Sequence, residues 1–185
     1  MAKGSTSGKN VALLRGINVG GKNSLPMKDL AAIFKKAGCT DVKTFIQSGN
    51  VVFAAPEKTL KTISAAVTAS VEKRLGFKIP VVVRTVDEVG EIVRKNAFPK
   101  CDPDADRLHV FFLASMPDAA GIAALDPGRS PGDSFKVVGR EIYALFPNGA
   151  GNSKLTNAYF DAKLKTVSTA RNWRTVLKLM EMMKT

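Results

Sequence analysis

Residues 42–55 read VKTFIQSGNVVFAA: two β-rich runs, VKTFIQ and NVVFAA, joined through Ser48 and Gly49. Glycine tolerates positive φ and suits a tight reversal, so the stretch predicts a β-hairpin, and a hairpin makes antiparallel strands. On its N-terminal side, NVALLRG (10–16) reads as a strand. LPMKDLAAIFKKAG (25–38) then places Met27, Leu30, Ala31 and Phe34 at helical spacing, with Gly38 available as a left-handed stop. On its C-terminal side, residues 58–75 space Leu60, Ile63, Val67, Val71 and Leu75 mainly three and four apart, an apolar helical stripe, and IPVVVRT (79–85) reads as a buried strand. The order β-α-β-β-α-β is the ferredoxin-like arrangement, an antiparallel sheet with two helices packed on one face.

Further out, the pattern repeats less clearly. VDEVGEIVRKNAF (86–98) is a short helix with acidic residues early, and CDPDAD (101–106) is a Pro- and Asp-rich loop. LHVFFLAS (108–115) is a strand, MPDAAGIAAL a short helix, and FKVV with EIYALF a second hairpin across Gly139 and Arg140. VSTARNWRTVLKLMEMM (167–183) reads as a terminal helix that Thr169 could cap, with Trp173, Val176, Leu177 and Met180 on one face. The expected organisation is a disordered lead over 1–9, a first ferredoxin-like half over 10–85, a helix and linker over 86–105 and a second ferredoxin-like half over 106–185. The fold class is α+β.

Length and composition agree with this. The chain has 185 residues, 45% hydrophobic and 24% charged, enough to bury a core without disulfides or a structural metal. No run approaches a membrane span and no secretory leader is recognisable, so a cytoplasmic location without membrane partners is expected. Cys39 and Cys101 lie 62 residues apart with no CxxC or Cys/His company, and His109 is the sole histidine, inside a strand-like run. Both cysteines read as reduced, and no metal or cofactor is expected.

Charge is uneven. Residues 1–100 hold 17 basic and 7 acidic residues, net +10, and residues 101–185 hold 11 and 9, net +2. A cationic half attracts nucleic acid, nucleotides or other anions, and a solvated cationic surface is the plainer reading. Within that half, Gly16-Ile17-Asn18-Val19-Gly20-Gly21-Lys22-Asn23 follows a strand, precedes a helix and nearly spells a phosphate loop. Asn23 stands where the magnesium-binding Ser or Thr belongs, no Walker-B aspartate follows, and a hairpin sheet is not the parallel sheet such enzymes use. What remains is either a glycine-rich anion nest beside Arg15 and Lys22 or a loop that simply turns the chain.

Gln47, Ser48 and Asn50 place amide and hydroxyl groups at the hairpin tip, either ordinary turn chemistry or, with Asn18 and Asn23, donors for bases or sugars. Phe45 and Phe53 invite comparison with RNA-recognition modules, whose open sheet face stacks bases, although core packing suits them better. Arg171-Asn172-Trp173-Arg174 combines cations with an aromatic, a pairing that can hold a phosphate or stack a base, with Trp173 equally suited to packing.

ALLRGINVGGKN, FIQSGNVVF, LTNAYFDAKL and TARNWRTVLKL together resemble a bacterial family of uncharacterised proteins catalogued as domain of unknown function 1697, from about Asn10 to Met182. The resemblance implies a compact α/β protein of ferredoxin-like halves and carries no activity, cofactor or catalytic residue with it. The residues themselves point to a non-catalytic binder of nucleic acid or a phosphorylated ligand through Arg15, Asn18, Gly20, Gly21, Lys22, Asn23, Gln47, Ser48 and Asn50, with Arg171 and Trp173 as further candidates. The alternative is a small transferase or hydrolase acting on a phosphorylated or nucleotide substrate, with Asp29, Asp41, Tyr159 or Asp161 as the available bases. Oligomeric state is left open.

Overall fold

The computed structural model describes residues 8–20, 23–101 and 107–185. The expected lead over 1–9 falls largely outside the described residues, as do Gly21 and Lys22. The chain divides into two compact units, the described part of residues 1–89 with Leu179–Thr185, and Gly90–Lys178.

The first unit runs β1 (Asn10–Leu14), α1 (Met27–Lys36), β2 (Thr40–Phe45), β3 (Asn50–Ala54), α2 (Glu57–Leu60), α3 (Ile63–Leu75) and β4 (Val81–Thr85), followed by α4 (Val86–Arg94). Its four strands form one antiparallel sheet in the order β2-β3-β1-β4. Strand side chains alternate between faces. Ala12, Leu14, Val51 and Phe53 therefore meet Leu30 and Phe34 of α1 and Ile63, Val67 and Val71 of α3 in one core. Phe34 and Phe53 pack with ring centroids 5.2 Å apart. Helix α1 ends as its sequence predicts: Gly38 adopts φ 91°, and the N–H groups of Gly38 and Cys39 return to the carbonyls of Lys35 and Phe34.

The stripe over 58–75 is not one helix. The Thr62 hydroxyl and N–H both donate to the Thr59 carbonyl, at 3.2 and 3.0 Å, and this tight turn separates α2 from α3.

The second unit contains β5 (Leu108–Leu113), α5 (Ala119–Ala123), β6 (Ser134–Val138), β7 (Glu141–Leu145), α6 (Asn157–Leu164), β8 (Ser168–Asn172) and the start of α7 (Trp173–Lys184). Its antiparallel sheet has the order β6-β7-β5-β8, the same topology as the first. Phe111, Leu113, Ile142 and Ala144 pack on Tyr159, Phe160 and Leu164 of α6. The expectation of two α+β halves with antiparallel sheets is met.

One element is corrected. Residues 168–172 are a strand rather than the first turns of the terminal helix, and Thr169 lies within it. Pairing with β5 overrides the helical spacing that STARN shares with the residues of α7. Helix α7 is capped instead by Asn172, whose Oδ1 accepts the Thr175 N–H at 2.9 Å. The equivalent place in the first unit is a reciprocal capping box. There Thr85 Oγ1 accepts the Glu88 N–H (3.2 Å) and Glu88 Oε2 accepts the Thr85 N–H (2.8 Å).

The duplication extends to backbone detail. Leu14 donates to the Gly49 carbonyl and Arg15 to that of Pro80; Leu113 donates to the Arg140 carbonyl and Ala114 to that of Val167. Arg84, opposite Val11, and Arg171, opposite Val110, are both buried, and each donates from Nη1 to the carbonyl of the residue before it.

Both sheets are buried on the reverse face as well, through Val11, Leu13, Val52, Val82 and Arg84 in the first and Val110, Phe112, Tyr143 and Arg171 in the second. The open stacking face of an RNA-recognition module is therefore absent among the described residues, and Phe53 is a core residue.

Candidate functional site

The sheet of the first unit places the glycine-rich connection after β1 beside the β2–β3 turn. Leu13 faces Asn50 across the β1–β3 pair, and Phe45 faces Asn50 across the β2–β3 pair. The chain therefore leaves β1 where the four-residue turn Ile46–Gly49 closes the hairpin.

Asn18 joins the two. It adopts φ 54°, a left-handed conformation that asparagine tolerates better than most residues. Its Nδ2 donates to the Leu25 carbonyl and to the Gln47 carbonyl, each at 2.9 Å, and its Oδ1 accepts the Leu25 N–H at 2.7 Å. One amide thus closes its own loop and ties it to the turn. Asn23 works the same way, donating to the Gly16 carbonyl at 2.7 Å while its own carbonyl accepts the Asn18 N–H at 3.1 Å. Buried Asn50 donates to the Phe45 carbonyl and to Ser48 Oγ, bracing the turn from within.

The asparagines that looked like a ligand-reading set are therefore bound into the frame of the loop and turn. Gln47 and Gly20 stand exposed on that frame and Arg15 is half-buried beside it. Gly49 has φ 78°, and a Cβ there would lie 2.8 Å from Leu14 Cβ, so the closest approach of turn to strand depends on glycine. Ile46 also has positive φ, 46°, which is strained for a β-branched side chain.

Arg171 and Trp173 are in the second unit. Both are buried, and burial lowers the Arg171 guanidinium to about 10, because a low-dielectric site disfavours its charge. Trp173 packs with its ring centroid 6.4 Å from that of Tyr143. These two residues belong to the packing of the second unit and not to the loop and turn of the first.

The nominated bases are occupied or distant. Asp29 in the first turn of α1 pairs with Arg74 of α3 at 2.6 Å. Asp41 is the second residue of β2, at the far end of the sheet from the glycine loop. The Tyr159 hydroxyl accepts the Asp126 N–H at 2.7 Å, and Asp161 Oδ1 accepts the Ser168 N–H at 2.7 Å. Among the described residues no three His, Cys, Asp or Glu side chains gather as metal ligands, and no helix is long and apolar enough to cross a membrane.

Sequence reasoning missed the third connection at this end. Because β4 pairs with β1, residues 76–80 arrive beside Arg15, whose N–H donates to the Pro80 carbonyl at 3.1 Å. The β-α-β-β-α-β order alone implies this adjacency. The second unit holds a separate cavity of about 590 Å³ lined by Phe98, Lys100, Cys101, Arg107, Leu145 and Pro147.

The molecule is thus an α+β protein of two similarly wound four-stranded antiparallel sheets. The chain belongs to the family described as "Protein of unknown function (DUF1697)", whose profile matches residues 8–143. Among solved structures it is similar to that of the conserved bacterial protein SP0830 from Streptococcus pneumoniae. The two are 21% identical with a TM-score of 0.70, over 98% of this chain and 100% of that one. This likeness shows a shared fold. No curated protein matches the chain.

Proposed function

We propose that the end of the first unit where the Gly16–Asn23 loop meets the Ile46–Gly49 turn is a non-catalytic binding site for nucleic acid or a phosphorylated ligand. The observation that carries this reading is the Asn18 amide bridging Leu25 and Gln47, which holds two backbone-rich turns together in the half of the chain with net charge +10. Arg15 and Lys22 supply the charge that meets phosphate, and Gly20, Gly21, Gln47 and Ser48 supply the N–H and polar groups around it. Asn18, Asn23 and Asn50 hold the frame. Arg171 and Trp173, buried in the other unit, are left to packing.

The test is fluorescence-anisotropy binding of labelled RNA and DNA across a salt series, with Lys22→Ala in parallel and a phosphorylated nucleoside as competitor. A steep salt dependence that Lys22→Ala reduces is the expected result, because each neutralised phosphate releases counterions. An unchanged affinity and slope in the variant overturns the assignment of this loop.

A further inference from the structure

Resting on that reading, we propose that the ligand is a single-stranded nucleic acid, with Phe77 stacking a base and Lys78, together with Arg15, contacting phosphate. Three connections emerge at this end of the sheet: the one after β1, the β2–β3 turn, and the 76–80 segment before β4. Their described residues, 15–20, 23–26, 46–49 and 76–80, contain Arg15 and Lys78 and not one Asp or Glu. The carboxylate nearest in sequence to the glycine loop, Asp29, is paired with Arg74. The three segments are therefore cationic with no acidic residue of their own, unlike an ordinary mixed surface.

Charge alone suits any polyanion; the apolar groups narrow the class. Each of the three connections carries an exposed large hydrophobic residue: Val19 is 64% exposed, Ile46 52% and Phe77 37%. A duplex presents phosphates and groove edges to such a surface and leaves these side chains in water. A single strand offers base faces, which stack on aromatic rings without regard to sequence and lie against aliphatic groups. Ile46 stands exposed on strained backbone, the kind of local cost that is kept where a side chain must be presented. The aliphatic tips and cations would also suit an anionic bilayer; the aromatic ring and the exposed Gln47 amide favour a base, which has both a π-face and hydrogen-bonding edges.

The test uses the full chain, short labelled single-stranded RNA and DNA, the matching duplex, and vesicles of anionic phospholipid. Variants are Phe77→Leu, which keeps apolar volume and removes the π-face, and Lys78→Gln. The expected result is single-strand binding roughly tenfold or more tighter than duplex binding, weakened about fivefold or more by Phe77→Leu with the salt slope unchanged. Lys78→Gln is expected to lower the slope by about 0.7, the value for one phosphate contact on a single strand. Unaltered melting temperatures in both variants confirm that the fold is intact. Equal affinity for duplex, or indifference to Phe77→Leu, overturns the single-strand inference while nucleic-acid binding at the site stands. Binding to vesicles but to no nucleic acid, or binding to nothing at low salt, overturns the single-strand inference and leaves the site only its phosphorylated-ligand reading, which binding of the phosphorylated nucleoside checks separately.

Discussion

The side chain of Asn18 donates to the backbone carbonyl of Gln47 at 2.9 Å, a bond between residues 29 apart in sequence that joins the loop after β1 to the β2–β3 turn. The same amide satisfies both backbone groups of Leu25, itself fully buried. Replacing Asn18 with Ala removes every one of these bonds and leaves a Cβ at φ 54°. A loss of about 2 kcal/mol is expected, since a polar group left unpaired near the core costs its full desolvation. Asn18→Gly removes the bonds but relieves the backbone, so it should be the milder of the two in urea denaturation.

Gly49 separates conformational strain from steric conflict. At Gly16, φ is 82° and nothing lies within 4 Å of an added Cβ, so Gly16→Ala is expected to cost only the left-handed conformation, about 1 kcal/mol. At Gly49, φ is 78° and the added Cβ meets Leu14 Cβ at 2.8 Å and Ile17 Cδ1 at 3.1 Å, with both residues in the core. Strain and overpacking together predict about 2–4 kcal/mol. Chemical denaturation of the two variants side by side checks the difference.

The hairpin over 42–55 is legible because β-rich runs flank a glycine whose required φ the structure reproduces, and the stop at Gly38 is legible for the same local reason. Strand β8 is not. STARN contains small and polar residues that join smoothly to the periodicity of α7, and it becomes a strand through pairing with β5 and a hydrogen bond from Ser168 to Asp161. The site divides in the same way. Its loop and turn are marked by glycines and amides, whereas the bond between them is a long-range contact that no local pattern encodes. The amides suggested ligand contacts; geometry gives Asn18, Asn23 and Asn50 backbone partners, because a glycine-rich loop needs its carbonyls satisfied.

Asp161 accepts from Ser168 twice: from its N–H at 2.7 Å and from its hydroxyl, with Oγ 2.6 Å from Oδ1. Ser168 is fully buried at the start of β8. Asp161→Ala withdraws the acceptor and is expected to destabilise the protein by about 1–3 kcal/mol. Asp161→Asn retains an oxygen at that position and should lose less. A midpoint shift in urea that follows this order, Ala worse than Asn, identifies the carboxylate as a structural brace for α6 and β8.

The two cysteines are expected to behave differently with thiol reagents, and Cys39 also ties stability to pH. Burial against the core pushes the Cys39 thiol up to about 11, because the thiolate would lose its hydration there. Its folded form is thus held neutral, while in the unfolded chain it ionises near its ordinary value of 9.0. The stabilisation from this group is fully present below about pH 9 and is lost as pH rises through 11. Tyr143, raised first by burial and then by the charge of Glu141, has the same sign and acts at still higher pH. Thermal melts across alkaline pH should therefore show a declining limb above pH 9 that becomes shallower in Cys39→Ala. In native protein a thiol reagent should label the half-buried Cys101 first and reach Cys39 only as the fold opens. Equal labelling rates at both positions without denaturant would mean that the α1 side of the first core opens far more readily than its packing implies.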